Sequence, residues 1–258
     1  MIEVVDMYKM IVSDFYDTLI NKEESIDINT MLEIDRVRNN NVLFVVATSR
    51  IFRTILDYNS SYTFSDYIIS YNGSYVYDCI KDKVLYQRKL TQVMIKKLSK
   101  LKQFDLAFLS LDETYYTNKD YNYDYGTKID DLDEFIKDNH NIYEVIVHYK
   151  KKDLDEIIKY IKNLGVNYFF RKNGKDTYIE IVYNDIDKYE GVKLISNKLN
   201  ITNKEILSIG ASSNDYELIK NTFGICVSNG EKEIKKISKS VTSNKDTLGV
   251  KEVISKYF

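Results

Sequence analysis

The sequence contains no proline and no tryptophan, and it has only nine glycines and two cysteines among its 258 residues. Without proline, the ends of helices and strands have to be located from Gly, Asn and Asp clusters and from changes in hydrophobic period. Cys79 and Cys226 lie far apart, and neither has a neighbouring Cys or His at a metal-binding spacing. This pattern excludes a disulfide-stapled scaffold and a structural zinc module, and it fits a reducing compartment.

The chain also lacks an excess of charge of either sign, with 37 Lys and Arg against 39 Asp and Glu and a net charge of -2. Such a protein has no overall field for holding nucleic acid or an anionic membrane, so any anion site is local. No apolar run approaches the roughly 18 to 20 residues that a membrane-spanning helix needs. We therefore expect a cytoplasmic protein that binds a small molecule, with neither nucleic acid nor a membrane as partner.

Size and hydrophobic period predict a parallel α/β core. A chain of 258 residues with 44% hydrophobic and 29% charged residues is typical of a soluble globular protein with one large domain or two domains of about 100 to 150 residues. Short apolar runs at 8–13 and 42–48 alternate with helical spacing at 28–38 and 50–58, which is typical of a doubly wound sheet. Further strands and helices of the same kind are predicted near both ends of the chain: strands at 67–70, 205–209, 223–227 and 240–243, and helices at 230–239 and 249–257.

The middle of the chain has a different pattern. It is rich in Val, Ile, Tyr and Phe with partial period-two alternation, which favours antiparallel strands, and two helical stretches interleave with them. The predicted strands are 83–89, 105–111, 142–149, 166–171 and 177–183, and the predicted helices are 92–102 and 153–163. We therefore predict a Rossmann-like core formed by residues 1–78 and 187–258, with an α+β unit, residues 79–186, inserted between its halves.

Polar residues follow the predicted core strands at the points where the strands end. In an open parallel sheet, ligands bind beyond the carboxyl ends of the strands, so these residues are the candidates for a site. Lys188, which follows the last strand of the insert, joins them. The set consists of Asp14 and Tyr16 after the first strand, Thr48, Ser49 and Arg50 after the second, and Asn214 and Asp215 after the run at 205–209.

Five ordered segments resemble the haloacid dehalogenase superfamily, and in particular its Cof-type phosphatases with a large inserted cap. IVSDFYDTLI is similar to the first motif, usually Asp-x-Asp-Gly-Thr-Leu, and VVATSR is similar to the second. IISYNGSYVYD is similar to the segment that leads into the cap, Lys188 to the third-motif lysine, and GASSND to the fourth motif. The resemblance implies a phosphomonoester hydrolase with Asp14 as nucleophile, Lys188 and Thr48 holding the anion, and Ser49, Arg50 and Asn214 also contacting the substrate.

Two positions depart from the family pattern at the metal site that the resemblance implies. Tyr16 replaces the second aspartate, which acts as acid and base and binds Mg²⁺ through its carbonyl, and Ala211 replaces an aspartate that is a direct ligand. Asp14 and Asp215 remain as ligands of a weakened site, and a tyrosine with an ordinary pKa near 10 is a poor general base. We therefore predict low, weakly Mg²⁺-dependent activity on a phosphorylated metabolite.

Two alternatives stay open. The metal-free haloacid dehalogenases also carry Tyr at the position of Tyr16 and a Ser-Ser-Asn run like that ending at Asn214, and attack at carbon with loss of halide needs no metal. The second alternative is a binding protein that keeps the crevice without catalysis. Single residues also have simpler explanations, because Asp14 suits a turn, Thr48 and Asn214 suit helix N-termini, and Arg50 suits a surface ion pair.

Overall fold

A computed structural model describes residues 8–118, 123, 125–138 and 140–258. The strands, in chain order, are β1 (Met10–Ser13), β2 (Leu43–Ala47), β3 (Tyr67–Ser70), β4 (Tyr75–Asp78), β5 (Lys83–Gln87), β6 (Asp105–Leu109), β7 (Thr114–Tyr116), β8 (Gly126–Lys128), β9 (Glu144–His148), β10 (Val166–Asn173), β11 (Asp176–Tyr183), β12 (Ile206–Gly210), β13 (Phe223–Cys226) and β14 (Ser240–Val241). The helices are α1 (Ile28–Asn39), α2 (Phe52–Tyr62), α3 (Gln92–Leu98), α4 (Leu132–Phe135), α5 (Leu154–Ile161), α6 (Lys188–Leu199), α7 (Tyr216–Asn221), α8 (Lys232–Ile237) and α9 (Asp246–Tyr257). No helix in these ranges combines the length and the apolar character needed to cross a bilayer.

The strands form two sheets. The core sheet has the order β14-β13-β12-β1-β2-β3-β4-β5 and is parallel from β14 to β3. The insert sheet has the order β10-β11-β9-β6-β7-β8 and is antiparallel except for the pair β7 and β8. This confirms the predicted α/β fold, with a parallel Rossmann-like core and a mostly antiparallel unit between its halves.

The parallel part of the core sheet is covered on both faces. In β1, Ile11 packs into the apolar cluster that contains residues of α1 and α9, whereas Met10 and Val12 pack into the cluster that contains residues of α6. Because successive side chains of a strand point to opposite faces, a short run that is apolar throughout requires helices on both sides. This explains why the apolar run at 8–13 forms a central strand of the sheet.

The insert sheet has two different faces. Leu106, Phe108, Val145 and Val147 belong to the cluster that also contains residues of α3 and α5. Ile146 on the opposite face packs into the cluster of the core instead. The insert therefore turns its second face toward the core, and the polar residues on that face are placed against the candidate site.

One predicted strand joins a different sheet from the one expected. The segment 83–89 was assigned to the insert, but β5 pairs antiparallel with β4 and forms the edge of the core sheet. Residues 79–82 connect β4 and β5 as a short hairpin, and a hairpin pairs locally whichever sheet its first strand belongs to. Since Leu90 is the first residue in the insert's own apolar cluster, we propose that the boundary between core and insert lies near residue 88 rather than at 78.

Candidate active site

Three ionisable side chains meet at the carboxyl end of β1. Lys188 Nζ lies 2.7 Å from Asp14 Oδ1 and 2.6 Å from Asp215 Oδ1. Lys188 and Asp215 are 0% exposed and Asp14 is 4% exposed. A cation held between two buried carboxylates is stable only with such close contacts, because each group has lost its hydration.

Local structure explains how Lys188 and Asp215 reach Asp14. Asp187 accepts a hydrogen bond from the Glu190 amide at 2.8 Å and so begins α6, which makes Lys188 the first helical residue. The chain after β12 folds back so that Asp215 Oδ2 accepts the amides of Ala211 and Ser212 at 2.9 and 3.0 Å. A Cβ on Gly210 would lie 2.7 Å from the Asp215 carboxyl carbon, so this fold-back requires glycine there.

The surroundings of Asp14 and Lys188 shift the pKa values of these two groups. The pKa of Asp14 is raised to about 6, mainly by burial and further by the charge of Asp215, while Lys188 and Arg171 oppose the rise. Burial acts to lower the pKa of Lys188, but the charges of Asp14 and Asp215 outweigh it, so this pKa is raised. Above about pH 6 the site therefore has an ionised Asp14 beside a permanent ammonium group.

The residues after β2 lie at the same edge of the sheet, since β1 and β2 are paired in parallel. Thr48 is buried, and its hydroxyl accepts the amide of Arg50 at 3.1 Å. Ser49 is half-buried. The Arg50 guanidinium lies over the Tyr16 ring at 3.8 Å from its centroid, a cation–π contact. Thr48 is thus placed as predicted beside the strand that carries Asp14, and Arg50 contacts Tyr16.

Tyr16 and Asp14 have different hydrogen-bond partners. The Tyr16 hydroxyl donates to Glu24 Oε1 at 3.3 Å. Asp14 Oδ2, by contrast, accepts a hydrogen bond from the Thr18 hydroxyl at 3.2 Å. Tyr16 lines a surface cavity of about 280 Å³ together with Glu24, Thr54, Asp57, Tyr58 and Tyr125.

Asn214 joins the site to the insert. Its Nδ2 donates to Asn72 Oδ1 at 2.8 Å, and its Oδ1 accepts from Arg171 Nη1 at 3.0 Å. Asn72 Nδ2 in turn donates to Glu144 Oε2 at 2.9 Å and to Glu180 Oε2 at 3.0 Å. Glu144, Glu180 and Arg171 come from β9, β11 and β10, so the insert closes over the strand ends through one polar network.

Glu144 is the most unusual member of this network. It is completely buried, and within the described residues its Oε1 has no hydrogen-bond partner. Burial raises the pKa of Glu144 well above its usual value, and the charge of Glu180 raises it further, against the opposing bond from Asn72. The surroundings of Glu144 therefore favour its neutral form over its charged form.

Sequence reasoning missed the insert's part of this site. In the sequence analysis Asn72 occurs only within the segment IISYNGSYVYD, and Glu144, Arg171 and Glu180 are not singled out. The sequence does contain a signal for these residues, because a charged side chain within an apolar strand is costly to bury unless it has a partner. The sequence does not show which residue that partner is, so it could not predict that they lie opposite Asn214.

The described residues do not fit the Mg²⁺ site that the family pattern implies. Mg²⁺ needs an octahedral set of oxygens, with carboxylates among them. Asp215 has Oδ1 bound to Lys188 and Oδ2 bound to two amides, and Ala211 contributes only a methyl group. In the described part of the chain there is no group of three or more His, Cys, Asp or Glu residues that could hold a metal ion. Asp14 is left as one carboxylate, shared with Lys188.

Comparison with known proteins identifies the family. Residues 11–254 match the family model of haloacid dehalogenase-like hydrolases. The chain is 22% identical to the 5-amino-6-(5-phospho-D-ribitylamino)uracil phosphatase YitU of Bacillus subtilis, covering 96% of this chain and 97% of the relative. It is 26% identical to YcsE of Bacillus subtilis, which is named for the same phosphatase activity as YitU, over 98% and 96% of the two chains.

The fold also matches solved structures. A haloacid dehalogenase-like hydrolase from Bacillus subtilis superimposes with a TM-score of 0.86 at 16% identity, covering 96% of this chain and 99% of that one. The family match spans all the motif positions discussed above, and the solved structure reproduces both the core and the insert. This chain therefore belongs to the haloacid dehalogenase-like hydrolase family, in its Cof-type, phosphatase-like branch.

Proposed function

We propose that this protein hydrolyses a small phosphorylated metabolite through a covalent intermediate on Asp14, slowly and with little dependence on Mg²⁺. The observation that carries the proposal is the buried triad of Asp14, Lys188 and Asp215 at the carboxyl end of β1. A strand-end carboxylate that is fixed by an ammonium group is oriented for attack on an electrophile. The relatives YitU and YcsE bear the names of phosphatases of a phosphorylated metabolite, which supports the substrate class.

The proposed chemistry has two steps. An oxygen of ionised Asp14 attacks phosphorus, the bond from phosphorus to the ester oxygen breaks, and the leaving alkoxide takes a proton from water. Water then attacks the aspartyl phosphate, which releases inorganic phosphate and regenerates the Asp14 carboxylate. Thr48 and Lys188 hold the anionic oxygens, while Asp215 and Asn214 keep Lys188 and the loop after β12 in place.

Electrostatics explain why we expect slow turnover. A phosphate dianion about 4 Å from ionised Asp14 is repelled by roughly 8 kcal/mol at an effective dielectric near 20. Lys188 offsets part of this repulsion, but it is already shared between Asp14 and Asp215. Tyr16, whose hydroxyl donates to Glu24, does not supply the proton that the leaving group needs. Both effects raise the barrier without changing the nucleophile.

The proposal is tested by turnover of a phosphomonoester panel with and without EDTA. We expect low activity that EDTA changes less than about twofold, and complete loss of activity in Asp14→Asn, because the amide is not a nucleophile. Mass spectrometry of protein quenched during turnover should locate a phosphoryl adduct on the peptide that contains Asp14. Lys193→Met on the exposed side of α6 is the control and should be as active as wild type. Full activity in Asp14→Asn would refute the proposed nucleophile.

A metal-free dehalogenase is the second candidate, and one observation favours it. Among the residues that the structure describes, the carboxylate of Asp14 has an ammonium partner and no metal ligand set around it, and attack at carbon expels a halide that needs neither metal nor proton. Turnover of a two-haloacid, with halide release and no phosphatase activity, would select this candidate. Failure of both substrate classes over a broad panel would leave the non-catalytic binding protein.

A further inference from the structure

Arg171 brings a positive charge from the insert to the active-site crevice. It lies on β10 directly opposite Tyr178 of β11, on the face of the insert sheet that carries Glu180. Its side chain is only 16% exposed. The loop after β12 contacts the same strand, because the Ser213 hydroxyl donates to the Phe170 carbonyl at 2.9 Å. Arg171 therefore reaches the core where the insert meets the fourth-motif loop.

The guanidinium is held in a defined orientation. Nη1 donates to Asn214 Oδ1 at 3.0 Å, and Nε lies 3.6 Å from Glu180 Oε1. Its charge lowers the pKa of Asp14 and acts on Lys188, so it lies within electrostatic reach of both. A guanidinium has five N–H donors in a planar fork, which suits two-point binding of an anionic group. Asn214 accepts from Nη1 and Glu180 faces Nε, so these two groups hold different edges of the guanidinium.

We propose that Arg171 binds the anionic group of the substrate together with Lys188. Arg171 thereby supplies positive charge at a site where Tyr16 and Ala211 replace two aspartates that the family pattern uses to hold a metal ion. This inference rests on the proposed function and extends it to an anion subsite shared by core and insert. Glu180 acts as a positioning residue that keeps the guanidinium turned toward Asn214. Because Arg171 belongs to the insert, the full charge is assembled only when the insert lies against the core.

Binding of inorganic phosphate in EDTA, measured by calorimetry, tests the proposal without requiring turnover. We expect wild type to bind phosphate, Arg171→Met to bind it about tenfold or more weakly, and Arg171→Lys to recover part of the loss, as expected for a charge-assisted hydrogen bond. Lys172→Met is the matched control, because it removes the same charge from the next residue of β10, whose side chain is exposed. It should bind phosphate within twofold of wild type.

Two results would overturn the inference: equal phosphate affinities for Arg171→Met and Lys172→Met, or no phosphate binding by wild type. Circular dichroism establishes that each variant is folded, and Arg171→Gln, which keeps a donor for Asn214, replaces Arg171→Met if that variant does not fold. The proposed function fails separately, if Asp14→Asn stays active. In that case a loss of phosphate affinity in Arg171→Met would still identify the anion subsite.

Discussion

The buried carboxylates on the two sides of the crevice have different partners. On the core side, Asp14 and Asp215 both contact the Lys188 ammonium within 2.7 Å. On the insert side, Glu144 and Glu180 share the amide of Asn72, and Arg171 Nε lies 3.6 Å from Glu180 Oε1. A close cation favours the charged form of a buried carboxylate, whereas burial without one favours the neutral form. The core side is therefore built to hold charge, and the insert side is built to tolerate a neutral acid.

The largest effect is expected where the core-side cation is removed. Lys188→Met leaves two buried carboxylates facing each other, and removal of one partner of a buried ion pair costs about 3 to 5 kcal/mol. Urea unfolding measures this loss, and hydrolytic activity should disappear with it. Lys193→Met, which removes an exposed lysine paired with Glu190 on the same helix, should cost below about 1 kcal/mol. Similar losses of stability in Lys188→Met and Lys193→Met would contradict the prediction that the buried ion pairs of Lys188 stabilise the fold more than an exposed pair does.

A smaller effect is expected from pH. Activity should fall as pH decreases through about 6, because Asp14 has to be ionised to attack and its pKa is raised to about 6. The folded state binds a proton on Asp14 more tightly than the unfolded chain does, so this group lowers stability as pH rises from about 4 to 6, by roughly 3 kcal/mol. The difference in unfolding free energy between wild type and Asp14→Asn, measured by urea unfolding at each pH in this range, isolates the effect of Asp14. A pH–rate profile with its acid limb near 4 would contradict it.

The smallest effect is expected at Glu144 on the insert side. Its surroundings raise its pKa and so favour the neutral form. Glu144→Gln keeps a neutral group of the same shape that still accepts from Asn72, so we expect a change in stability of about 1 kcal/mol or less. Glu180→Gln removes the carboxylate that lies 3.6 Å from Arg171 and leaves a buried guanidinium without this charge partner, so we expect a larger loss than in Glu144→Gln. Thermal or urea unfolding at neutral pH compares the two. A larger loss of stability from Glu144→Gln than from Glu180→Gln would contradict the expectation that the negative charge is needed at Glu180 and not at Glu144.

The core side of the site was readable from the sequence because local signals define it. An apolar run that ends at Asp14 predicts a buried strand followed by a polar residue at its carboxyl end, and the structure has β1 there. Asp17, which stands where the family pattern has glycine, has φ 57°, a left-handed conformation that Asp tolerates better than most residues. The motif order placed Lys188 and Asp215 beside Asp14 although 174 and 201 residues separate them from it along the chain.

The insert side was not readable in the same way. Alternation in β9, β10 and β11 predicts strands, but the same pattern suits either face of a sheet and does not name the surface opposite it. The strand 83–87 shows the same limit, since its alternation predicted a strand correctly and its sheet wrongly. Pairing partners far apart along the chain are chosen by packing, which a local pattern does not encode.

The sequence by itself therefore determined the parallel core, the insert, the family and the three residues of the triad, because each depends on local period or on a motif. Only the tertiary structure decided that Arg171 meets Asn214 and that Asn72 bridges two buried glutamates. These contacts exist because one face of the insert sheet is buried against the core. Burial removes water from every polar group on that face, so the groups must satisfy one another across the interface.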